Sequence, residues 1–177
     1  LDKGDLEKLT ESGAFKSLSG NRYQTHWEVL GLPPDLPIFR SEDTNYKPRP
    51  RLESLLPSPT EADDLRADYQ NMGLTLGRHP LAMLREQKSY PFRNHQTADS
   101  LKGLRKGQIV NVSGIVTGRQ RPSTASGVLF LTLEDETNNI NVIIWKNIFE
   151  KYRASAVQGN LLIINGILEK KDRIIHV

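Results

Sequence analysis

The sequence predicts an α+β chain: a small N-terminal helical segment, a proline-rich linker, a helical connector, and a C-terminal five-stranded β-barrel with a helix between strands 3 and 4. Three observations carry this. Apolar residues recur at helical spacing up to about residue 100 and at a period of two after Lys102. Seven prolines fall between Leu32 and Pro59. The apolar runs after Lys102 are short and separated by polar or glycine-bearing turns, with one helical stretch interrupting them.

Residues 1–31 form the helical segment. Asp2 can cap a helix through "KGDLEKLTES", with Leu6 and Leu9 on one side and Gly13 as its stop. "SLSGNRYQTHWEVLG" repeats this logic with a Ser or Asn start, Tyr23, Trp27 and Leu30 at helical spacing, and Gly31 at the end. Residues 32–59 are the linker, because "NYKPRPRL" and its neighbours suit neither a helix nor a central strand and favour extended chain. Residues 60–100 are the connector. Thr60 caps a helix with acids in its first turn and Leu65, Tyr69 and Met72 along one face, and "HPLAMLREQ" is a further short helix with Pro80 in its first turn.

Residues 101–177 carry the strands. "QIVNVSGIVTGRQR" is long for one strand and contains Gly114 and Gly118, where a strand can bend or bulge. "GVLFLTLED" and "NINVIIW" follow, then a helix in "KNIFEKYRASA" with Ile148, Phe149 and Tyr152 on one side. "NLLIINGILEKKDRIIHV" supplies two strands around a Lys170–Lys171–Asp172 turn, the last strand being cut short. Three strands, a helix and two strands, the first one bent, is the order of the OB-fold, a partly open barrel.

Composition sets bounds on function. The 177 residues suffice for one domain or two small ones, and 37% hydrophobic with 25% charged residues is a globular balance. Without cysteine there is no disulfide or thiolate metal site, which suits a reducing cytoplasm. No apolar run reaches bilayer length, and "LDKGDLEKLT" is unlike a signal peptide. A start at Leu1 and a stop inside "RIIHV" are expected of a piece of a larger polypeptide. From Leu101 onward Lys and Arg exceed Asp and Glu by 11 to 6, whereas the preceding residues have 13 against 15. A positive C-terminal half suits a polyanion.

Strand alternation then sorts the barrel. Leu129, Leu131 and Leu133, with Ile140, Val142 and Ile144, form the interior rows. Phe130 turns outward beside Thr132, Asn139 and Asn141. An outward ring offers a base a stacking surface, the Thr and Asn side chains offer hydrogen bonds, and Arg119 and Arg121 at the mouth of the first loop can meet phosphates. Lys170 and Lys171 at the last turn complete the candidate nucleic-acid-binding set. The competing reading packs Phe130 beneath the N-terminal helices or the proline strap.

No catalytic constellation is found. Asp63 and Asp64 suit a helix start, and Glu134, Asp135 and Glu136 read as solvated turn residues. His26, His79, His95 and His176 are scattered, and "GLTLGRHP" lacks a phosphate-binding loop's Gly-Lys-Ser/Thr. Neither a metal nor another cofactor is expected in this segment.

"LFLTLEDETNNINVIIW", "GLRKGQIVNVSGIVTGRQRP" and "ADYQNMGLTLGRHPLAMLR", in that company with "LEKLTESGAFKSLSGNRYQTHWEV", resemble the C-terminal region of bacterial DNA polymerase III alpha subunits, closest to the error-prone, damage-inducible branch. In that family the end of a helix-hairpin-helix-type region, a linker and an OB domain follow one another. The resemblance implies a template-directed DNA polymerase whose Mg²⁺ is held by palm aspartates in other segments. It carries no catalytic residue over to this one. It implies single-stranded template DNA and the rest of the polymerase chain as partners, in damage-tolerant synthesis, with no membrane. Two alternatives stand beside it. The barrel can be a platform docking accessory lesion-bypass proteins, with Phe130 and Ile143 as anchors. It can also bind RNA or tRNA, since "FLTLED" is similar to the anticodon-binding domains of class II aminoacyl-tRNA synthetases. Two departures from the family are visible. Asn138 stands where glycine is usual in the turn between strands 2 and 3, and residues 1–31 lack the glycine-rich hairpin that grips DNA backbone.

Overall fold

A computed structural model describes residues 2–31, 57–87, 91–124, 127–171 and 174–177. Most of the expected linker, residues 32–56, lies outside them, as does Asp172 of the last turn. The chain divides into two compact units between Gly77 and Arg78, within the stretch expected as a connector.

The first unit is helical. Helix α1 (Lys3–Glu11) starts on a capping box: Asp2 accepts from the Asp5 amide at 2.8 Å, and Asp5 accepts from the Asp2 amide at 3.2 Å. Gly20, at φ 93°, separates α2 (Lys16–Ser19) from α3 (Arg22–Leu30), which is capped by Asn21. Helix α4 (Glu61–Met72) begins on a second capping box, Thr60 with Asp63, and ends at the left-handed Gly73. Asp63 thus has the helix-start role expected of it, while Asp64 is drawn to the Arg22 guanidinium at 3.0 Å. Arg22 also reaches Asp68 at 2.5 Å, tying α3 to α4. The buried face of α3 is the one turned to α1 and α2, where the Thr25 hydroxyl lies 2.7 Å from that of Ser19. Thr25 and Val29 are buried while Tyr23, Trp27 and Leu30, the expected apolar side, are exposed.

The second unit is the barrel with its helical approach. Helix α5 (Pro80–Glu86) is capped by His79, whose Nδ1 accepts from the Leu81 amide at 3.2 Å. Arg85 at its end donates to the carbonyls of Phe92 (2.8 Å) and His95 (2.7 Å), and its Nε lies 2.6 Å from Glu136. Helix α6 (Ala98–Leu101) buries Ala98 and Leu101 against the barrel. Then come β1 (Ile109–Gln120), β2 (Leu129–Glu134), β3 (Asn139–Ile144), α7 (Lys146–Lys151), α8 (Arg153–Gln158), β4 (Leu161–Ile167), β5 (Glu169–Lys171) and β6 (Ile174–His176).

The strands lie in the order β4-β1-β2-β3-β6-β5, antiparallel throughout except for the parallel β3–β6 pair. This is the OB-fold, with six strands instead of the expected five. The extra strand arises at Leu168, which is fully buried and bonds to both sides of one turn: its amide donates to Gln108 at 2.8 Å and its carbonyl accepts from Gly107 at 2.7 Å. The chain bends there, leaves β1 and continues as β5, so that Lys170 and Lys171 lie in a strand and not in a turn. The interior is Val110, Val112, Leu129, Leu131, Leu133, Ile140, Val142, Leu168 and Val177, closed at its ends by Leu101 and Phe149. Both predicted rows therefore face inward. Burying such side chains contributes about 1.5–3 kcal/mol each, the main drive for closing the barrel. Gly114 is required by contact: a Cβ there would stand 2.5 Å from the Leu133 Cβ.

Candidate nucleic-acid interface

The outer face of β2 and β3 is set by pairing. Phe130 faces Ile143, Thr132 faces Asn141 and Glu134 faces Asn139, three cross-strand pairs on the side away from the core. Phe130 is 37% exposed, so its ring is available at the surface. On the β6 side, His176 pairs with Asn141 and extends the polar row.

The contribution of β1 is decided by a bulge. Val116 pairs with Leu133 and Gly118 with Thr132, leaving Thr117 as an extra residue whose hydroxyl donates to the Thr132 carbonyl at 3.3 Å. One added residue reverses which parity faces out. Beyond the bulge Gln120 pairs with outward Phe130, whereas Arg119 pairs with buried Leu131. Gln120 thus joins the face and was not among the expected residues. A glycine that loosens the strand is the only sign of this in the sequence.

The two arginines are correspondingly engaged at the barrel end. Arg119 donates to the Ala156 carbonyl at 3.1 Å and to the Gly159 carbonyl, holding the last turn of α8. The Arg121 guanidinium lies 4.5 Å over the Phe149 ring, a cation–π contact that covers the core. Both arginines were expected at the mouth of the first loop; Arg119 ends β1 at that loop and Arg121 follows it, and these contacts occupy part of each guanidinium. Lys170 is also turned aside, its Nζ donating to the Lys102 carbonyl at 2.7 Å, while Lys171 is exposed opposite Ile174. Phe130, Thr132, Asn139 and Asn141 are the predicted residues that the fold brings together.

The β2–β3 turn flanking this face is rigidly held. Asp135, expected to be solvated, is only 3% exposed. One carboxylate oxygen accepts from the Ala98 amide at 2.6 Å, and the other accepts from the Thr137 amide (2.7 Å), the Thr137 hydroxyl (2.7 Å) and the Asn138 amide (2.9 Å). Burial pushes this carboxyl's pKa up, but the Thr137 hydroxyl and the Asn138, Ala98 and Thr137 amides outweigh it and hold it below the usual value. The acid therefore nails the turn to the start of α6. The Asp-x-Thr-Asn spacing of an Asx-turn signals the bonds to Thr137 and Asn138, whereas the bond to the Ala98 amide has no local signal. Among the described residues no group of three or more His, Asp or Glu is placed to hold a metal ion, and no helix is long and apolar enough to cross a membrane.

Comparison with known proteins agrees with this geometry. Residues 110–177 match the family described as an OB-fold nucleic acid binding domain. The whole chain aligns at 43% identity over 178 residues with the error-prone DNA polymerase of Idiomarina loihiensis, covering 16% of that protein. The chain resembles a segment of the error-prone DNA polymerases. The Teredinibacter turnerae enzyme is 44% identical over 96% of the chain, and that of Pseudomonas fluorescens 41% identical over all of it, again with 16% of each polymerase covered. The chain thus spans about a sixth of the length of these polymerases, and the aligned segment takes in both compact units.

Proposed function

We propose that this chain is a non-catalytic, nucleic-acid-holding part of an error-prone DNA polymerase, and that its barrel takes single-stranded template DNA during damage-tolerant synthesis in the bacterial cytoplasm. Nucleotidyl transfer, and the Mg²⁺ it uses, belong in this reading to the rest of the polymerase. The observation that carries it is the outward Phe130 ring, framed by Gln120, Thr132, Asn141 and Ile143 on the strand 2–3 face that OB-folds use for oligonucleotides. The ring supplies stacking without sequence preference, and the amides and hydroxyl supply hydrogen bonds to sugar, phosphate or base edges.

Stacking on one aromatic is worth about 1–3 kcal/mol, so Phe130→Ala is expected to weaken binding of a labelled oligothymidylate about 5- to 150-fold by fluorescence anisotropy at low salt. Unchanged affinity would refute the reading. A competition with the same sequence in RNA separates DNA handling from RNA binding, preference for RNA favouring the latter.

A second reading has its own observation. The outer side of β4 exposes Leu161, Ile163 and Ile167, with Ile109 of β1 paired to Ile167. Such a row suits protein contact, and the barrel would then dock accessory lesion-bypass proteins through salt-insensitive burial. Substituting Ile163 and Ile167 with Lys distinguishes it: loss of partner binding with DNA affinity retained supports docking.

A further inference from the structure

Trp145 follows directly after β3 with extended backbone (φ −66°, ψ 154°), as the N-cap of α7. It is 64% exposed. Ile143 pairs with Phe130 and the ladder ends one pair later at Leu129 and Ile144, so Trp145 stands one residue past the end of the ladder, two residues on from the partner of Phe130. A large ring left in water just past the end of the β2–β3 face offers a further flat surface.

Cations gather beside it. A Cβ placed on Gly127, whose φ is +86°, would lie 3.3 Å from the Lys146 side chain and 3.6 Å from the Arg121 guanidinium. The two basic side chains therefore converge on one stretch of bare backbone at the base of the β1–β2 loop. Phe149 fixes the plane of Arg121 from below. Lys146 reaches Glu150 only at 4.0 Å, an exposed pair that competes weakly with another anion. Residues 145–153 carry Lys146, Lys151 and Arg153 against the single acid Glu150. An apolar protein surface does not require that charge. A polyanion with flat bases matches both the ring and the cations.

We propose that Trp145 is a second base-stacking platform with Arg121 and Lys146 as the phosphate clamp beside it, so that a single strand leaving Phe130 continues off the sheet over the start of α7. The proposal rests on the reading of Phe130 as a base platform, and its test separates the two. The chain has two tryptophans, so Trp27→Phe leaves Trp145 as the sole indole. Titrating that variant with an oligothymidylate of about twelve nucleotides, within the site size of an OB-fold, is expected to quench Trp145 emission in step with the rise in anisotropy. In the unmodified chain Trp145→Ala is expected to weaken this oligomer about 5- to 150-fold, with Trp145→Phe retaining most of the affinity. Lys146→Ala should reduce the slope of log affinity against log salt by about 0.7. Full binding with unchanged Trp145 emission and unaltered affinity of Trp145→Ala overturns this subsite and leaves the Phe130 reading standing. Absence of binding by the unmodified chain, or indifference to Phe130→Ala, overturns both.

Discussion

Replacing Asp135 with Asn tests whether the turn beside the proposed DNA face is an anchored element or a solvated loop. The carboxylate accepts four hydrogen bonds, three of them from backbone amides. An amide side chain can still accept from Thr137 and Asn138 with its oxygen, but it presents N–H to the Ala98 N–H that lay at 2.6 Å. Losing one charge-assisted bond costs about 1.5–3 kcal/mol. Asp135→Ala strands all three amides, and at about 1–3 kcal/mol each, moderated by turn relaxation, about 3–5 kcal/mol is expected. Urea titration followed by Trp145 fluorescence in a Trp27→Phe background reads the barrel unit alone. A midpoint shift below about 1 kcal/mol for Asp135→Ala would refute the anchoring role, since surface substitutions cost no more than about 0.5. The pH dependence follows with a definite sign. The folded carboxyl has a pKa lowered from 3.8, so its stabilisation is fully present above the unfolded value and is lost as pH falls through the folded one. Asp135→Asn should therefore flatten the acid limb of barrel stability below about pH 4.

Other substitutions probe the frame. Gly114→Ala sets a methyl 2.5 Å from the Leu133 Cβ and 3.1 Å from the Glu134 carbonyl, and is expected to cost about 1–3 kcal/mol or more by urea titration, as overpacking does. Arg119→Ala is expected to lower barrel stability by about 1–2 kcal/mol through the freed α8 carbonyls while leaving oligothymidylate affinity within twofold, an outcome that distinguishes a structural arginine from a phosphate contact.

Much of this barrel was legible because its strands obey simple alternation. Strand β2 is unbroken, so Phe130 could be placed outside from parity alone, and the inward leucines follow from the same count. Strand β1 breaks that rule. Gly118 marks a place where it can loosen, but nothing in the residue order says that Thr117 is the one left over, and the sides on which Arg119 and Gln120 emerge depend on it. The division of β4 from β5 was hidden for a related reason: "LLIINGILEKK" is continuous in its apolar pattern, and the bend at Leu168 is made by backbone bonds to residues about sixty positions earlier. Asp135 shows the limit of composition. An acid in a turn is ordinarily wet, and only the approach of α6 makes it an interior acceptor. On α3 the apolar spacing was present but did not govern burial, because the side holding Thr25 and Val29 is buried, with Thr25 bonded to Ser19 of α2.

The parallel β3–β6 seam gives the cylinder unequal resistance to local opening. Strand β1 is bonded along both edges, whereas the seam is a short ladder made by Asn141, Ile143, His176 and Val177. Parting it would break no pairing within the four-stranded sheet β4-β1-β2-β3. A clasp with a fixed jaw and a yielding one is expected: solvent exchange at the Ile143 and Val177 amides should proceed through a small opening, and that at the β1 amides should require unfolding of the unit.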